Sequence, residues 1–222
     1  NIGYTIKSFL ETFKNYRKNK PALILKIQEV GTGMMDRSKI LKKIDAIKSN
    51  ISGSLPNIYL LHGEMTDAEV NELYNHPKVK CMVSHTRGEG FGRPLLEFSL
   101  IGKPIICSGW SGQVDFLDKD LNILIGGKLE KIDKSSVQDK ILIPESSWFM
   151  PDDGQTNHAY KEVIKNYKKW VVNAKKLKFR NRNEFSFKSM EELLKKYFKK
   201  YVKEAPKQVD LKLPTLELPK LK

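Results

Sequence analysis

The stretch GEGFGRPLLEFSLIGKP, residues 88–104, decides how the chain is read. Two glutamates, Glu89 and Glu97, stand eight positions apart. A Gly-Phe-Gly segment follows the first, and an almost wholly apolar run surrounds the second, so Glu97 is expected to be buried among Leu95, Leu96, Phe98, Leu100 and Ile101. Upstream, VKCMVS has the short apolar composition of a buried strand. Downstream, Pro94 near a first turn and Gly102 at an end bracket a helix over RPLLEFSLIG. Gly88, Gly90 and Gly92 let the intervening loop turn tightly and approach a ligand closely. The first amides of the helix carry the positive end of its dipole, a setting for phosphate. Glu97 leans back toward the helix N-terminus, and Glu89 sits on the loop. Taken alone, the pair has a plainer explanation: Glu97 complements the dipole and Glu89 is an exposed loop residue.

Outward from this segment, helical and strand-like periods alternate over the first 125 residues. Helices are expected over YTIKSFLETFKNYRKN, ended by Pro21; over DRSKILKKIDAIKSN, with Asp36 as N-cap; and over TDAEVNELYNH, opened by Thr66 or Asp67. ALILKI, NIYLL, PIICS and LNILI read as short buried strands. This alternation predicts an α/β, doubly wound, Rossmann-like parallel sheet covered by helices on both faces, with ligands beyond the C-terminal ends of the strands. After Gly127 the pattern weakens: KILIP reads as a strand and ESSWFMPDDGQ as a loop. Two helices follow, HAYKEVIKNYKKWVVNAKKL and FKSMEELLKKYFKKYV. The expected organisation is one domain over 1–203, with basic helices from 156, and a Pro-containing disordered tail over 204–222.

The charge is uneven. The formal net charge is +14, and residues 161–203 hold 15 Lys and Arg against 4 Glu, a local net of +11 that leaves +3 for the rest. Such a region attracts nucleic acid or an anionic surface. Its lysines carry no RNA-binding signature, which favours a solvated helix face and no obligate nucleic acid. Cys81 and Cys107 both sit in apolar runs and are expected to be buried, reduced thiols in a cytoplasmic setting. No apolar run reaches the roughly 18–20 residues of a membrane span, and no signal peptide is recognisable. The first residue is Asn1 rather than Met, so the chain is expected to be a piece of something longer.

The residues around the opening stretch add a resemblance. Ser84, HTRG, Glu89, Gly90, Phe91, Gly92, Arg93, Pro94, two leucines and Glu97, followed by IGKPIICS, resemble the signature of retaining glycosyltransferases of the GT-B fold, family four and relatives. NIYLLHGEMTDAEVNELYNHPKVKCMVS, SGWSGQVDFL, WFMPDDGQTNHAYKEVIKNY and FSFKSMEELL resemble further segments of that family in the same order, most specifically over 57–116. The resemblance implies a C-terminal, donor-binding domain for a nucleoside-diphosphate sugar. It implies that Glu97 contacts the nucleotide ribose, that Glu89 faces the donor sugar in the catalytic site, and that the amides of Gly90, Phe91 and Gly92 contact sugar or diphosphate. Arg93 toward a phosphate, and Ser84 and His85 toward the donor, extend that scheme. Gly31 and Gly33, in GTG, take the place of the family's glycines near the base. Trp148, Pro151 and Asp152 are expected to be structural.

The chain also departs from the family pattern. The family's first strand, with a basic pair that clamps the diphosphate, and its acceptor-binding N-terminal domain lie outside this sequence. The spacing from Ser84 to Glu89 is about one residue longer than the commonest form. The resemblance implies transfer with retention and without a metal, and there is no Asp-x-Asp run or ligand-spaced His/Cys cluster; no cofactor is expected. The acceptor, whether glycan, lipid or protein, is not specified. Two other possibilities stand beside this one: an inactive or truncated transferase, and a module that binds nucleic acid or anionic surfaces through the basic helices.

Overall fold

The computed structural model describes residues 1–18, 20–27, 31–138 and 140–202. By its internal contacts the chain divides into a first unit, Asn1–Arg182, and a second, Asn183–Lys222. The expected tail over 204–222 lies outside the described residues.

The first unit opens with α1 (Ile2–Phe13), β1 (Leu23–Lys26), α2 (Met34–Ser49), β2 (Ile58–Leu61) and α3 (Asp67–Asn75). It continues with β3 (Met82–Ser84), α4 (Arg93–Ser99), β4 (Ile105–Ser108) and β5 (Ile123–Ile125). The hairpin β6 (Gly127–Lys131) and β7 (Ser147–Pro151) follows, then α5 (Asp153–Lys165) and α6 (Tyr167–Glu184), whose last residues belong to the second unit. The strands form two parallel ladders. β1 pairs with β2 from Leu23 opposite Ile58 to Lys26 opposite Leu61. β4 lies between β3 and β5, with Ser84 opposite Cys107 and Cys107 opposite Leu124. This is the expected α/β, Rossmann-like arrangement of parallel strands flanked by helices.

The core follows from the apolar spacing. Ile6, Phe9, Leu10 and Phe13 of α1 meet Leu23 and Leu25 of β1, Ile40 and Ile44 of α2, and Ala159, Tyr160 and Val163 of α5. Phe98 of α4 and Tyr74 of α3 meet edge to face with centroids 5.2 Å apart. β4 is buried at every residue, as a strand covered on two faces must be. β1 alternates instead, with Ile24 exposed, and Tyr59 of β2 is exposed too. The expectation of two covered faces therefore holds for β4 and fails for β1 and β2.

Several boundaries correct the sequence expectations. α1 stops at Phe13, well before Pro21, because Asn15 takes a left-handed backbone (φ 60°) and bonds through its amide to Ser54 O at 2.9 Å. Gly33, not Asp36, is the N-cap of α2; Asp36 lies in the first turn, where its carboxylate meets His62 Nε2 at 2.9 Å. Of the two expected openings of α3, Thr66 or Asp67, Thr66 is the N-cap, and it caps the helix reciprocally with Glu69. KILIP forms no strand: only an isolated bridge joins Gln138 and Leu142. The segment expected to be a loop instead contains β7, paired antiparallel with β6. The first C-terminal helix is two helices, broken at Asn166 (φ −116°, ψ 34°), which caps α5 by donating its amide to Glu162 O.

The second unit holds the end of α6 and α7 (Phe187–Tyr201) among its described residues. Ser186 caps α7 by accepting from Ser189 N at 3.2 Å. No helix among the described residues is long and apolar enough to cross a membrane.

Candidate functional site

The candidate site is built from two loops that leave the C-terminal ends of β3 and β4 and interlock. The first runs from His85 to Gly92. The second, Gly109–Ser111, leads into a 3-10 turn over Gly112–Asp115. Gly112 N donates to Glu89 O at 2.9 Å. Ser111 Oγ accepts from Glu89 N at 3.1 Å and donates to Glu89 O at 2.7 Å. Ser111 is itself held at φ 77°, an unusual conformation for a residue with a side chain. Gln113, fully buried, donates through Nε2 to Ser108 O at 2.9 Å, and its Oε1 has no partner among the described residues. Gly92 closes the first loop with φ 88°, ψ 45° as the N-cap of α4; a Cβ there would meet Gln113 and the Glu89 side chain at 3.3 Å. Left-handed backbone and close approach together demand glycine at this position. Phe91 is exposed but rests against Phe116, centroids 5.2 Å apart.

The hairpin braces the loop from the other side. Phe149 N of β7 donates to Arg87 O at 2.9 Å. The Arg87 guanidinium lies 3.6 Å from the Trp148 ring centroid, within cation–π range. Its buried Nε has no hydrogen-bond partner among the described residues. Trp110 stacks on Phe149 with an interplanar angle of 4° and centroids 6.0 Å apart. Asp152 caps α5 by accepting from Gln155 N at 2.7 Å, and its amide donates to Gly126 O at 2.8 Å. These roles for Trp148 and Asp152 are the structural ones expected of them. Arg87 lies inside the HTRG segment, yet nothing in the local sequence marks it, because its partner ring is distant along the chain.

Glu97 is not buried. Its side chain is 45% exposed and leans back one turn to Arg93, whose Nε it meets at 3.1 Å. The sequence suggested burial because leucine and phenylalanine flank it, but a helix turns successive residues to different faces. Leu95 and Phe98 go inward while Arg93 and Glu97 share the outer face. There they line a small cavity of about 270 Å³ between α3 and α4, with Asp67, Val70, Asn71, Tyr74 and Ile101. α4 is seven residues long, shorter than expected, and ends at Ser99.

His85 is 2% exposed. Its Nδ1 lies 3.1 Å from Thr5 Oγ1 of α1, its ring meets Tyr4 and Tyr160 edge-on, and its Nε2 has no partner among the described residues. Burial, and then the positive charge of the chain's α-amine, lower its pKa to about 4. The imidazole is therefore neutral near pH 7. Ser84 lies at the end of β3 and faces the same large cavity as His85. Gly31 and Gly33 stand before α2. A Cβ on either would meet nothing within 4 Å, and Gly33 has φ −74°, so neither contacts at these positions nor the backbone of Gly33 require glycine.

No family model matches this chain, and no curated protein matches it. A search of solved structures matches the crystal structure of Anabaena Alr3699/HepE in complex with UDP, with a TM-score of 0.58 and 12% identity over 87% of this chain. The chain spans 44% of that protein's length. At this identity the likeness is one of fold: a parallel α/β unit of the kind found in a protein solved with a nucleoside diphosphate.

Proposed function

We propose that this chain is the donor-binding half of a GT-B-fold glycosyltransferase, resembling family four, which takes its sugar from a nucleoside-diphosphate donor. The observation that carries the proposal is the interlocked pair of loops at the C-terminal ends of β3 and β4, where ligands bind in parallel α/β sheets. The shared fold with a protein solved in complex with UDP supports it.

In this scheme the nucleotide ribose sits beside the cavity between α3 and α4, where the Glu97 carboxylate, the Asn71 amide and Asp67 offer partners for a diol. The amides of Gly90, Phe91 and Gly92 receive the diphosphate or sugar, and Arg93 supplies positive charge at the head of α4. A two-turn helix has a weak field of its own, so the loop amides and guanidinium carry most of that task. Glu89, whose backbone is fixed by Ser111 and Gly112, presents its carboxylate to hydroxyls of the sugar. Gly31 and Gly33 border the base, and Ser84 and His85 the donor.

The reaction is departure of a nucleoside diphosphate as an acceptor hydroxyl bonds to the anomeric carbon. Negative charge that grows on the leaving phosphate is stabilised by fixed amides and cations. Retention of configuration and independence of a metal belong to this proposal through the family resemblance. The acceptor site and completion of turnover fall to the rest of the protein.

The test is calorimetric titration with UDP, GDP and their hexose conjugates, using wild type and Glu97→Ala. Saturable binding that Glu97→Ala removes is expected. Equal affinity in the two proteins would sink the assignment of Glu97, and no binding of any nucleotide would sink the function.

A further inference from the structure

Trp110 stands on the second of the two interlocked loops and is 42% exposed. A tryptophan with surface exposure is ordinary, but this one is fixed from behind and from both sides. Its ring stacks on Phe149, which is buried. On one side Gly109 N donates to Ile125 O at 2.8 Å. On the other, the Ser111 hydroxyl bonds both the amide and the carbonyl of Glu89. The indole therefore holds its place before any ligand arrives, and a ligand that stacks on it has little ordering left to supply. The indole N–H has no hydrogen-bond partner among the described residues.

The ring is tied to the loop of Glu89 at two points. Ser111, its neighbour in the chain, grips Glu89, and Phe149, which backs the ring, donates its amide to Arg87 O at 2.9 Å. Gly88 and Glu89 lie between these two attachments. A Cβ on Gly88 would meet nothing within 4 Å, so the main chain there borders open space. The Glu89 carboxylate makes no hydrogen bond or ion pair among the described residues. An exposed aromatic ring, an indole donor and a carboxylate acceptor thus border one open stretch of loop.

These groups select a chemistry. A carboxylate repels an anion, and a wholly apolar ligand would bury it without hydrogen bonds at a large cost. A pyranose suits both neighbours: its C–H face packs on an indole, and the hydroxyls of its rim donate to a carboxylate and accept from an N–H. We infer that Trp110 seats a pyranose ring of the acceptor, which makes the acceptor a glycan. This rests on the donor assignment above. There the amides of Gly90, Phe91 and Gly92, with Arg93, receive the donor on the α4 side of Glu89. Trp110 reaches the loop through Phe149 and Arg87, on the β3 side of Glu89, so the ring that it seats is the one beyond Glu89 from the nucleotide. This adds one contact, on the donor-binding half, to an acceptor site otherwise supplied by the rest of the protein.

Titration of the full chain with maltotriose, mannotriose and triacetylchitotriose, followed by NMR of the indole N–H groups, tests the inference. At least one trisaccharide is expected to shift Trp110 saturably while Trp148 and Trp170 stay fixed. Trp110→Ala is expected to weaken that binding at least ~10-fold, read at the Gly88 and Glu89 amides. Trp110→Phe, which keeps a ring against Phe149, is expected to lie between the two. Urea midpoints show that the variants fold, and the wild-type indole shifts stand without either variant. UDP, GDP, UDP-glucose and GDP-mannose are titrated separately. Nucleotide binding with no response of Trp110 to any trisaccharide would overturn the inference and leave the donor assignment intact. So would trisaccharide binding that Trp110→Ala does not weaken, or a Trp110 shift with the nucleotide sugars alone, which would make it a donor contact. A trisaccharide shift at Trp110 in a chain that binds no nucleotide would overturn its role toward an acceptor.

Discussion

A Cβ on Gly112 would lie 2.1 Å from the carbonyl oxygen of Gly90. The loops that follow β3 and β4 therefore touch backbone to backbone, and neither can move without the other. Gly112→Ala must push Gly90 and Phe91 away and break the bond from Gly112 N to Glu89 O. A loss of about 1–3 kcal/mol in stability is expected, measured by urea unfolding. Nucleotide binding should fall further than the lost stability explains. Gly31→Ala, which meets nothing within 4 Å, is the matched control and should leave stability unchanged.

Glu97 and Arg93 form an exposed pair, and such pairs contribute little to stability. Glu97→Ala is therefore expected to change unfolding free energy by no more than about 0.5 kcal/mol while removing nucleotide binding. The exchanged pair, Arg93→Glu with Glu97→Arg, restores the ion pair but not the ligand contacts. Calorimetry should find it as inactive in binding as Glu97→Ala. Restored binding would show that only the ion pair matters.

His85 gives the fold a pH dependence. Its pKa is lowered from 6.5 to about 4 in the folded chain, so between those values the unfolded chain holds a proton that the folded chain does not. The contribution is fully present above pH 6.5 and is lost as pH falls toward 4, by about 3 kcal/mol at most. Urea midpoints measured from pH 8 to 4 should decline more steeply for wild type than for His85→Gln. Parallel slopes would show that His85 is not buried neutral.

Cys107 is buried as its sequence led us to expect, whereas Cys81 is only half-buried; desolvation still pushes both thiols up to about 12. Thiolate is the reactive form. Neither cysteine should react appreciably with a disulfide reagent at pH 8 in the native protein, and both should react within the dead time in denaturant. A fast native thiol would place Cys81 in an open edge.

The parts of this fold legible in the sequence were those with short-range causes. Thr66 and Glu69 announce α3 because capping is a local exchange of hydrogen bonds. The apolar spacing of Ile6, Phe9, Leu10 and Phe13 announces α1. The end of α1 was not legible, since Asn15 leaves the helix to bond with Ser54, a partner distant in sequence. β7 was hidden for a related reason: Trp148 and Phe149 become a strand by pairing with β6 and by packing on Arg87 and Trp110. In the site, glycine at 92 was marked by the motif, whereas the demand for glycine at 112 arises only where two loops meet. The exposure of Glu97 was lost among apolar neighbours because composition records no helical phase.

The most direct measurement is backbone amide NMR during titration with UDP, with GDP in parallel. The account predicts saturable shifts concentrated at Gly90, Phe91, Gly92, Arg93 and Glu97, with weaker changes at Asp67 and Asn71, and none of them in Glu97→Ala. Shifts confined to the lysines of α5, α6 and α7, or no shift with either nucleotide at millimolar concentration, would contradict it.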